Sequence, residues 1–315
     1  MLHMWTRCLC GALAIGSCVG VVQRRSKLDK ASEATSETVC ISLAAYEQAE
    51  WIDLLLKNIF AFTEPDTKVA LHLHKMSNYD QARMDAWSSD RVVLAERIKV
   101  WQFHGSLLTA HLRNAWALED RWPGTCGYYL MQASNMMWVR SGVESVVRKS
   151  QYSRLGGMAG PWKYGGNHSF VTYMVANGKR HLHGNSGHEG TFFPMAIVLG
   201  FGKLLDTYVR SQNLTWDSVT ELSGNCEETW LQSYAMSYAP EKINMDLVAG
   251  PVSLRKCNKD SVTKEDVDGV INHADGYKEF YAVKRVARNF THPVTQYIAS
   301  LSGVQLNLLS LSTSV

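Results

Sequence analysis

Apolar residues near the start of the chain follow the pattern of a buried strand, an amphipathic helix and a second buried strand. The first run covers residues 39–46 and the second covers residues 69–74. Between them, apolar residues recur at helical spacing: Trp51, Ile52, Leu55, Leu56, Ile59, Phe60 and Phe62. Strand, helix and strand at this spacing predict a βαβ unit and therefore a parallel sheet.

Two further strands are predicted before the middle of the chain. Residues 100–104 form the first, and Gly105 then leads into a helix through Trp116, for which Ser106 is a candidate N-cap. The aromatic and aliphatic run from Tyr128 predicts a central strand. Open α/β sheets bind ligands at the carboxyl ends of their strands, so Ser134 and Asn135, which follow this strand, are predicted to line a crevice.

Two adjacent acids, Glu227 and Glu228, precede an amphipathic helical run in which Trp230, Leu231, Tyr234 and Met236 would pack on a core. Neighbouring helical residues point about 100° apart, so only one acid can face a given cleft. Beside apolar surface, desolvation raises the proton affinity of a carboxylate, as a general base requires. Alternatively, both acids simply complement the positive amino end of the helix.

These segments, in this order, resemble core-2/I-branching-type glycosyltransferases and their plant relatives. Residues 227–233 resemble the family's acidic-Glu-His-aromatic-x-Pro-Thr signature, with Thr229, Gln232 and Ser233 replacing His, Pro and Thr. The resemblance implies that Glu228 is the catalytic base. It also implies a GT-A-like, Rossmann-type fold, which is a mixed, mostly parallel sheet flanked by helices.

Other segments bear the same resemblance. The family's first strand ends in a small-residue-Tyr turn beside the nucleotide, which matches Tyr46 here. Residues 100–110 resemble a later motif of the family, in which a strand leads to Gly-x-x-x-Leu and then to a helix. Ser134 resembles the family's strand end near donor and acceptor, whereas Asn135 stands where the family often carries an acid.

A basic strand is predicted over residues 281–288, and it resembles the family's basic strand near the carboxyl terminus. Its cations Lys284, Arg285 and Arg288 suit a nucleotide diphosphate, because they neutralise the leaving charge without metal. Strand alternation predicts that Lys284 and Arg288 share a face and that Arg285 points away. The alternative is an exposed edge strand protected by cations.

The resemblance implies an inverting, metal-independent glycosyltransferase without a cofactor. It would move N-acetylglucosamine or xylose from a UDP-sugar to a hydroxyl of a glycan or glycoprotein. Glu189 is a reserve candidate for the base. The alternative is a catalytically silent carbohydrate-binding or scaffold protein on the same fold, because fold does not determine function.

A metal site offers a different chemistry. His181, His183, His188 and Glu189 concentrate possible ligands of zinc or another transition metal in one loop, although loop histidines more often contact solvent or substrate. The chain also contains an Asp-x-Asp motif, at Asp266 and Asp268, and this segment is predicted to be a charged turn rather than a metal site. For His72 and His74, on the second strand, a buried, hydrogen-bonded role is favoured over metal binding.

Composition permits one large domain or two small ones, and no internal repeat or Pro/Ser-rich linker requires a split. The 315 residues are 46% hydrophobic, which allows a sizeable core, and a net charge of +3 does not indicate a nucleic-acid partner. The chain contains no Walker-type phosphate loop, no Gly-x-Gly-x-x-Gly and no Gly-x-Ser-x-Gly.

The first 37 residues differ from the rest, and the catalytic domain is predicted over residues 38–315. The uncharged apolar run 8–22 suits a signal-peptide core or a short membrane anchor, followed by a polar stem. The family resemblance implies the Golgi membrane, in type II orientation, or the secretory lumen. The flanking charges oppose that orientation, because Arg24 and Arg25 outnumber Arg7.

The cysteines do not decide the compartment. Cys126, Cys226 and Cys257 are the candidates for one disulfide, and Cys226–Cys257 is the pair to test. Cys40, inside the first predicted strand, is expected to be a small buried apolar residue.

Overall fold

The computed structural model describes residues 36–101, 104–150, 168–179, 189–220, 226–238, 252–255 and 261–306, excluding the side chains of residues 168, 227, 228, 236–238 and 255. The strands are β1 Thr38–Ala45, β2 Lys68–Leu73, β3 Val92–Leu94, β4 Cys126–Ala133, β5 Met136–Trp138, β6 Phe192–Pro194, β7 Ser253–Arg255 and β8 Ala282–Lys284. The helices are α1 Ala49–Phe62, α2 Gln81–Trp87, α3 Ser106–Arg121, α4 Val143–Ser150, α5 His168–Ala176, α6 Met195–Ser211, α7 Trp216–Thr220, α8 Cys226–Tyr238, α9 Lys264–Ile271 and α10 Pro293–Leu301.

Five of the described strands form a sheet in the order β3-β2-β1-β4-β6. The first four run parallel, and β6 is antiparallel to β4. A smaller sheet has the order β5-β8-β7, with β8 antiparallel to β5 and parallel to β7. The fold is therefore mixed α/β with a mostly parallel sheet flanked by helices, and that prediction is confirmed.

Alternating side chains of β1 supply the cores on the two faces of the sheet. Val39, Ile41 and Leu43 join one apolar cluster with residues of α1, α9 and α10. Cys40 joins the other, with residues of α3, α6 and α8. A strand buried on both faces is nearly continuously apolar, which explains the composition of β1.

Polar side chains attach α3 to β1 inside the second core. Ser42 Oγ lies 2.7 Å from His111 Nδ1, and Asn114 Nδ2 donates to Ser42 Oγ at 2.8 Å and to the carbonyl of Leu43 at 3.1 Å. All three side chains are buried. Since buried polar groups require hydrogen-bond partners, this Ser–His contact serves the packing of helix on sheet.

The predicted strand over residues 100–104 is wrong for the part that the structure describes. Residues 100 and 101 are not in a strand, His104 forms an isolated β-bridge, and residues 102 and 103 lie outside the described ranges. The predicted N-cap also shifts by one residue, because Gly105 is the cap and Ser106 is the first residue of α3. Ser106 Oγ instead accepts the backbone N–H of Trp101 at 2.7 Å.

The predicted basic strand is also shorter than expected. Strand β8 ends at Lys284, because Arg285 adopts φ 74° and turns the chain. The backbone N–H groups of Arg285 and Val286 then both donate to the carbonyl of Asn135, at 3.0 and 3.1 Å. Strand alternation therefore does not reach Arg288, and the prediction that Lys284 and Arg288 share a strand face is wrong.

The disulfide that the structure describes joins two cysteines that were not predicted as a pair. Cys40 and Cys126 form a disulfide between the adjacent strands β1 and β4. Cys226 is buried, and Cys257 lies outside the described residues, so the Cys226–Cys257 bridge stays a prediction. Sequence spacing alone does not reveal which strands become neighbours, which is why Cys40 was expected to be a plain apolar residue.

The acidic pair near the carboxyl end begins a helix rather than forming a charged turn. Asp266 and Thr263 make a capping box at the start of α9, in which each side chain bonds the other residue's backbone N–H. Asp268 pairs with Lys264 at 2.7 Å, one helical turn away. Both acids thus have structural partners.

The buried role expected for His72 is confirmed. Its Nε2 accepts the backbone N–H of Ile98 at 3.0 Å, and burial lowers the pKa of His72 to about 4. The ring is therefore neutral at physiological pH and acts as an acceptor between β2 and the segment after β3. His74 lies just beyond the end of β2.

The predicted anchor, residues 8–22, lies outside the described residues. From residue 36 onward, wherever the chain is described, none of its helices combines the length and the apolar character needed to cross a bilayer.

Candidate active site

Residues that follow three parallel strands lie at one edge of the central sheet. Tyr46 and Glu47 follow β1, His74 follows β2, and Ser134 follows β4. Because these strands are parallel neighbours, their carboxyl ends meet at the same edge. The position predicted for the crevice is thus occupied by residues from separate parts of the chain.

Four side chains make direct contact at this edge, and we call them the carboxyl-edge cluster: Tyr46, Glu47, Ser134 and Arg288. Ser134 Oγ donates a hydrogen bond to Glu47 Oε1, and Arg288 Nε forms an ion pair with the same oxygen at 2.6 Å. Arg288 Nη2 also donates to Ser134 Oγ at 3.2 Å. The guanidinium carbon lies 5.0 Å from the centroid of the Tyr46 ring, within cation–π range.

The backbone around the cluster is held from helix α1 and from the segment before α2. Trp51 Nε1 donates to the carbonyl of Ser134 at 2.8 Å, and the hydroxyl of Tyr79 donates to the carbonyl of Glu47. The Trp51 ring packs edge-on against Phe290, two residues beyond Arg288. The loops that carry the cluster are therefore fixed by buried aromatic side chains, which favours a pre-organised site.

The exposure of the cluster differs among its members. The carboxyl group belongs to a side chain that is only 5% exposed, whereas the side chain of Arg288 is 36% exposed. Tyr46 is 56% exposed as a residue. A buried acid thus supports an accessible cation and an accessible aromatic ring, which is an arrangement that can bind an anionic, planar ligand.

Lys284 lies in a different environment. It forms an ion pair with Glu189, and the two side chains are 10% and 7% exposed. Glu189 precedes Gly190, whose N–H donates to the carbonyl of Met131 in β4 at 2.7 Å, while Lys284 pairs with Met136 across β5 and β8. This ion pair therefore connects the two sheets and is distinct from the carboxyl-edge cluster.

The candidate base lies on a confirmed helix. Helix α8 begins at Cys226 and buries Trp230, Leu231 and Tyr234, as predicted, with the Trp230 ring 4.7 Å from that of Phe170. Glu227 and Glu228 belong to its first turn, but their side chains lie outside the described residues. The role of Glu228 stays a prediction.

The alternative metal loop is largely outside the described residues, because His181, His183 and His188 fall in the gap 180–188. Among the residues that are described, no group of three or more His, Cys, Asp or Glu side chains could hold an ion. Glu189, the described member of that loop, is the partner of Lys284.

Glu47 is the cluster residue that sequence reasoning missed. A sequence signal was present, since an acid directly follows the small-residue-Tyr turn. It points to a site only when Ser134 and Arg288, which lie 87 and 241 positions later, are known to reach the same strand end.

No protein-family model and no curated protein matches the chain. Among solved structures, S. aureus TarS matches 52% of the chain at 10% identity with a TM-score of 0.30. The apo-form glycosyltransferase GlyE of Streptococcus pneumoniae TIGR4 matches 85% at 8% identity with a TM-score of 0.37. The chain covers 29% of the TarS chain and 61% of the GlyE chain, which is less than two thirds of either.

Proposed function

We propose that the protein is an inverting glycosyltransferase that moves a sugar from a UDP-sugar to a glycan hydroxyl. The single observation that carries the proposal is the carboxyl-edge cluster, in which an accessible arginine and an accessible tyrosine meet at the carboxyl end of a parallel sheet. A nucleoside diphosphate offers the matching chemistry, a planar base and two anionic phosphates.

The proposed reaction needs a base on one side of the sugar and cations on the other. Glu228 would accept the proton of the acceptor hydroxyl as that oxygen attacks the anomeric carbon. The bond from the anomeric carbon to the diphosphate oxygen breaks on the opposite face, so the configuration inverts. Arg288 would stabilise the negative charge that develops on the departing UDP.

Candidate sugar and acceptor remain those implied by the family resemblance. We propose N-acetylglucosamine or xylose as the transferred sugar and a glycan or glycoprotein as the acceptor. UDP release is the direct test: purified protein is incubated with each UDP-sugar, with and without candidate glycans. The proposal requires release that depends on donor and increases with acceptor.

A catalytically silent carbohydrate-binding or scaffold protein is the second candidate, and one observation favours it. Two of the three cations expected at the diphosphate are already ion-paired with carboxylates, namely Lys284 and Arg288. A carbohydrate-binding protein without transfer activity does not need these cations at a diphosphate, so the internal ion pairs would not weaken its binding of glycan. Glycan binding without any UDP release would support this candidate.

Replacing Arg288 should weaken the binding of UDP but not of uridine. We expect Arg288→Ala to reduce the binding free energy of UDP by about 1.5–3 kcal/mol, because charge-assisted hydrogen bonds to phosphate are lost. Uridine lacks the diphosphate and should lose far less. Isothermal titration calorimetry with both ligands measures the difference.

Arg210→Ala provides the matched control for this measurement. Arg210 is a surface arginine, 80% exposed in its side chain, and is paired with Asp206 at 2.8 Å. Its replacement should leave both affinities unchanged. Equal losses for UDP and uridine in Arg288→Ala would mean that Arg288 does not contact phosphate.

Chelation should not abolish transfer. We expect turnover to survive excess EDTA, because a protein cation such as Arg288 can stabilise the leaving diphosphate in place of a divalent ion. Initial rates with and without chelator measure this. Complete loss that is restored by Mn²⁺ or Zn²⁺ would instead favour a metal site at His181, His183, His188 and Glu189.

A further inference from the structure

We propose that Glu47 is a positioning residue for Arg288, holding its guanidinium for a diphosphate ligand. This inference rests on the proposed function and extends it to a residue that the family resemblance does not mark. Within the carboxyl-edge cluster, Glu47 would orient Arg288, and Arg288 would contact the diphosphate ligand.

The carboxylate of Glu47 is itself fixed by several donors. Its Oε1 accepts from Ser134 Oγ and pairs with Arg288 Nε at 2.6 Å, while its Oε2 accepts the backbone N–H of Tyr46 at 2.9 Å. The side chain is 5% exposed. A buried carboxylate with both oxygens bonded has little freedom, so it can define the position of whatever it binds.

The contact with Glu47 uses one particular part of the arginine. Guanidinium carries donors on Nε and on both terminal nitrogens, in a rigid planar fork. The ion pair with Glu47 is at Nε, and Nη2 donates a hydrogen bond to Ser134 Oγ at 3.2 Å. Terminal N–H donors therefore remain for a phosphate while the Nε contact is kept, and the ring of Tyr46 supports the plane at 5.0 Å.

An opposite interpretation is that Glu47 competes with the ligand for Arg288. In that case the ion pair would have to break before a phosphate could bind, and removing the carboxylate would strengthen binding. The geometry favours positioning, because the side chain of Glu47 is far less exposed than that of Arg288 and its closest contact with the guanidinium is at Nε, away from the terminal nitrogens. Positioning predicts that removal of the Glu47 carboxylate weakens UDP binding, whereas competition predicts that it strengthens it. One measurement of UDP affinity therefore separates the two interpretations.

The test compares UDP and uridine binding in Glu47→Gln, which keeps the size of the side chain and removes its charge. We expect UDP to bind about tenfold more weakly, because Arg288 must then be ordered by the ligand itself. Uridine affinity should change little. Glu50→Gln is the matched control, since Glu50 is a half-exposed acid in the first turn of α1, outside the cluster.

A double-mutant cycle excludes a merely structural role. In the Arg288→Ala background, Glu47→Gln should have no further effect on UDP affinity, because the residue that it positions is absent. Unchanged or tighter UDP binding in the single variant, or additive losses in the double variant, would overturn the proposal. If the wild-type protein binds no UDP at all, the proposed function fails as well, which distinguishes the two failures.

Discussion

Glu228→Gln is expected to lower turnover by about 100-fold or more while leaving UDP affinity nearly unchanged. The amide keeps the size of the side chain but cannot accept the proton of the acceptor hydroxyl. Residue 228 lies in the first turn of α8, and the buried Trp230, Leu231 and Tyr234 fix that helix on the core. Steady-state rates of UDP release, together with calorimetry of UDP binding, separate loss of chemistry from loss of binding.

Glu227→Gln is the matched control, because adjacent helical positions point about 100° apart. It should have a much smaller effect on turnover. If the two effects are reversed, the register of the match to the family signature is wrong. If Glu189→Gln alone abolishes turnover with its fold intact, the base lies beside Lys284 instead.

Removal of the Lys284 charge should destabilise the protein strongly. We expect Lys284→Met to reduce the free energy of unfolding by about 3–5 kcal/mol, because the buried carboxylate of Glu189 loses its cationic partner. The Met side chain retains most of the apolar stem of the lysine, so the loss reports mainly on charge. Chemical denaturation of the wild-type and variant proteins measures it.

Two further variants make that measurement specific. Lys264→Met removes the cation of an exposed pair with Asp268 and should change the stability far less, because solvent screens exposed ion pairs. Glu189→Leu combined with Lys284→Met should recover most of the loss, since replacing a buried ion pair by apolar residues is often neutral or stabilising. A double variant that is less stable than Lys284→Met alone would contradict this account of the pair.

The parts of the fold that depend on local pattern could be predicted from sequence. Strands β1 and β2 are apolar because both faces of the sheet are covered, and α1 has one apolar side, so the βαβ unit was predictable. The same holds for β4 and for Ser134 at its end. These features need only the side chains of the segment itself.

The parts that depend on tertiary neighbours could not be predicted. Arg285 leaves the strand through a left-handed backbone conformation, and that turn carries Arg288 to Glu47 rather than along β8. Likewise, the Glu189–Lys284 pair forms between residues 95 positions apart, on elements that meet only in the folded chain. Composition and sequence spacing do not show which distant residues come into contact in the folded chain.

The bridge between Cys40 and Cys126 has a consequence for the unfolded chain. It spans 86 positions of sequence and encloses the three connections that join the four parallel strands, so the oxidised chain unfolds to a closed ring with a tail at each end. In the chain-entropy description, a ring of this size is worth about 4–5 kcal/mol of stability relative to the open, reduced chain. The fold should therefore be most secure in an oxidising compartment, where such bonds persist, and a reducing one would leave it considerably closer to unfolding.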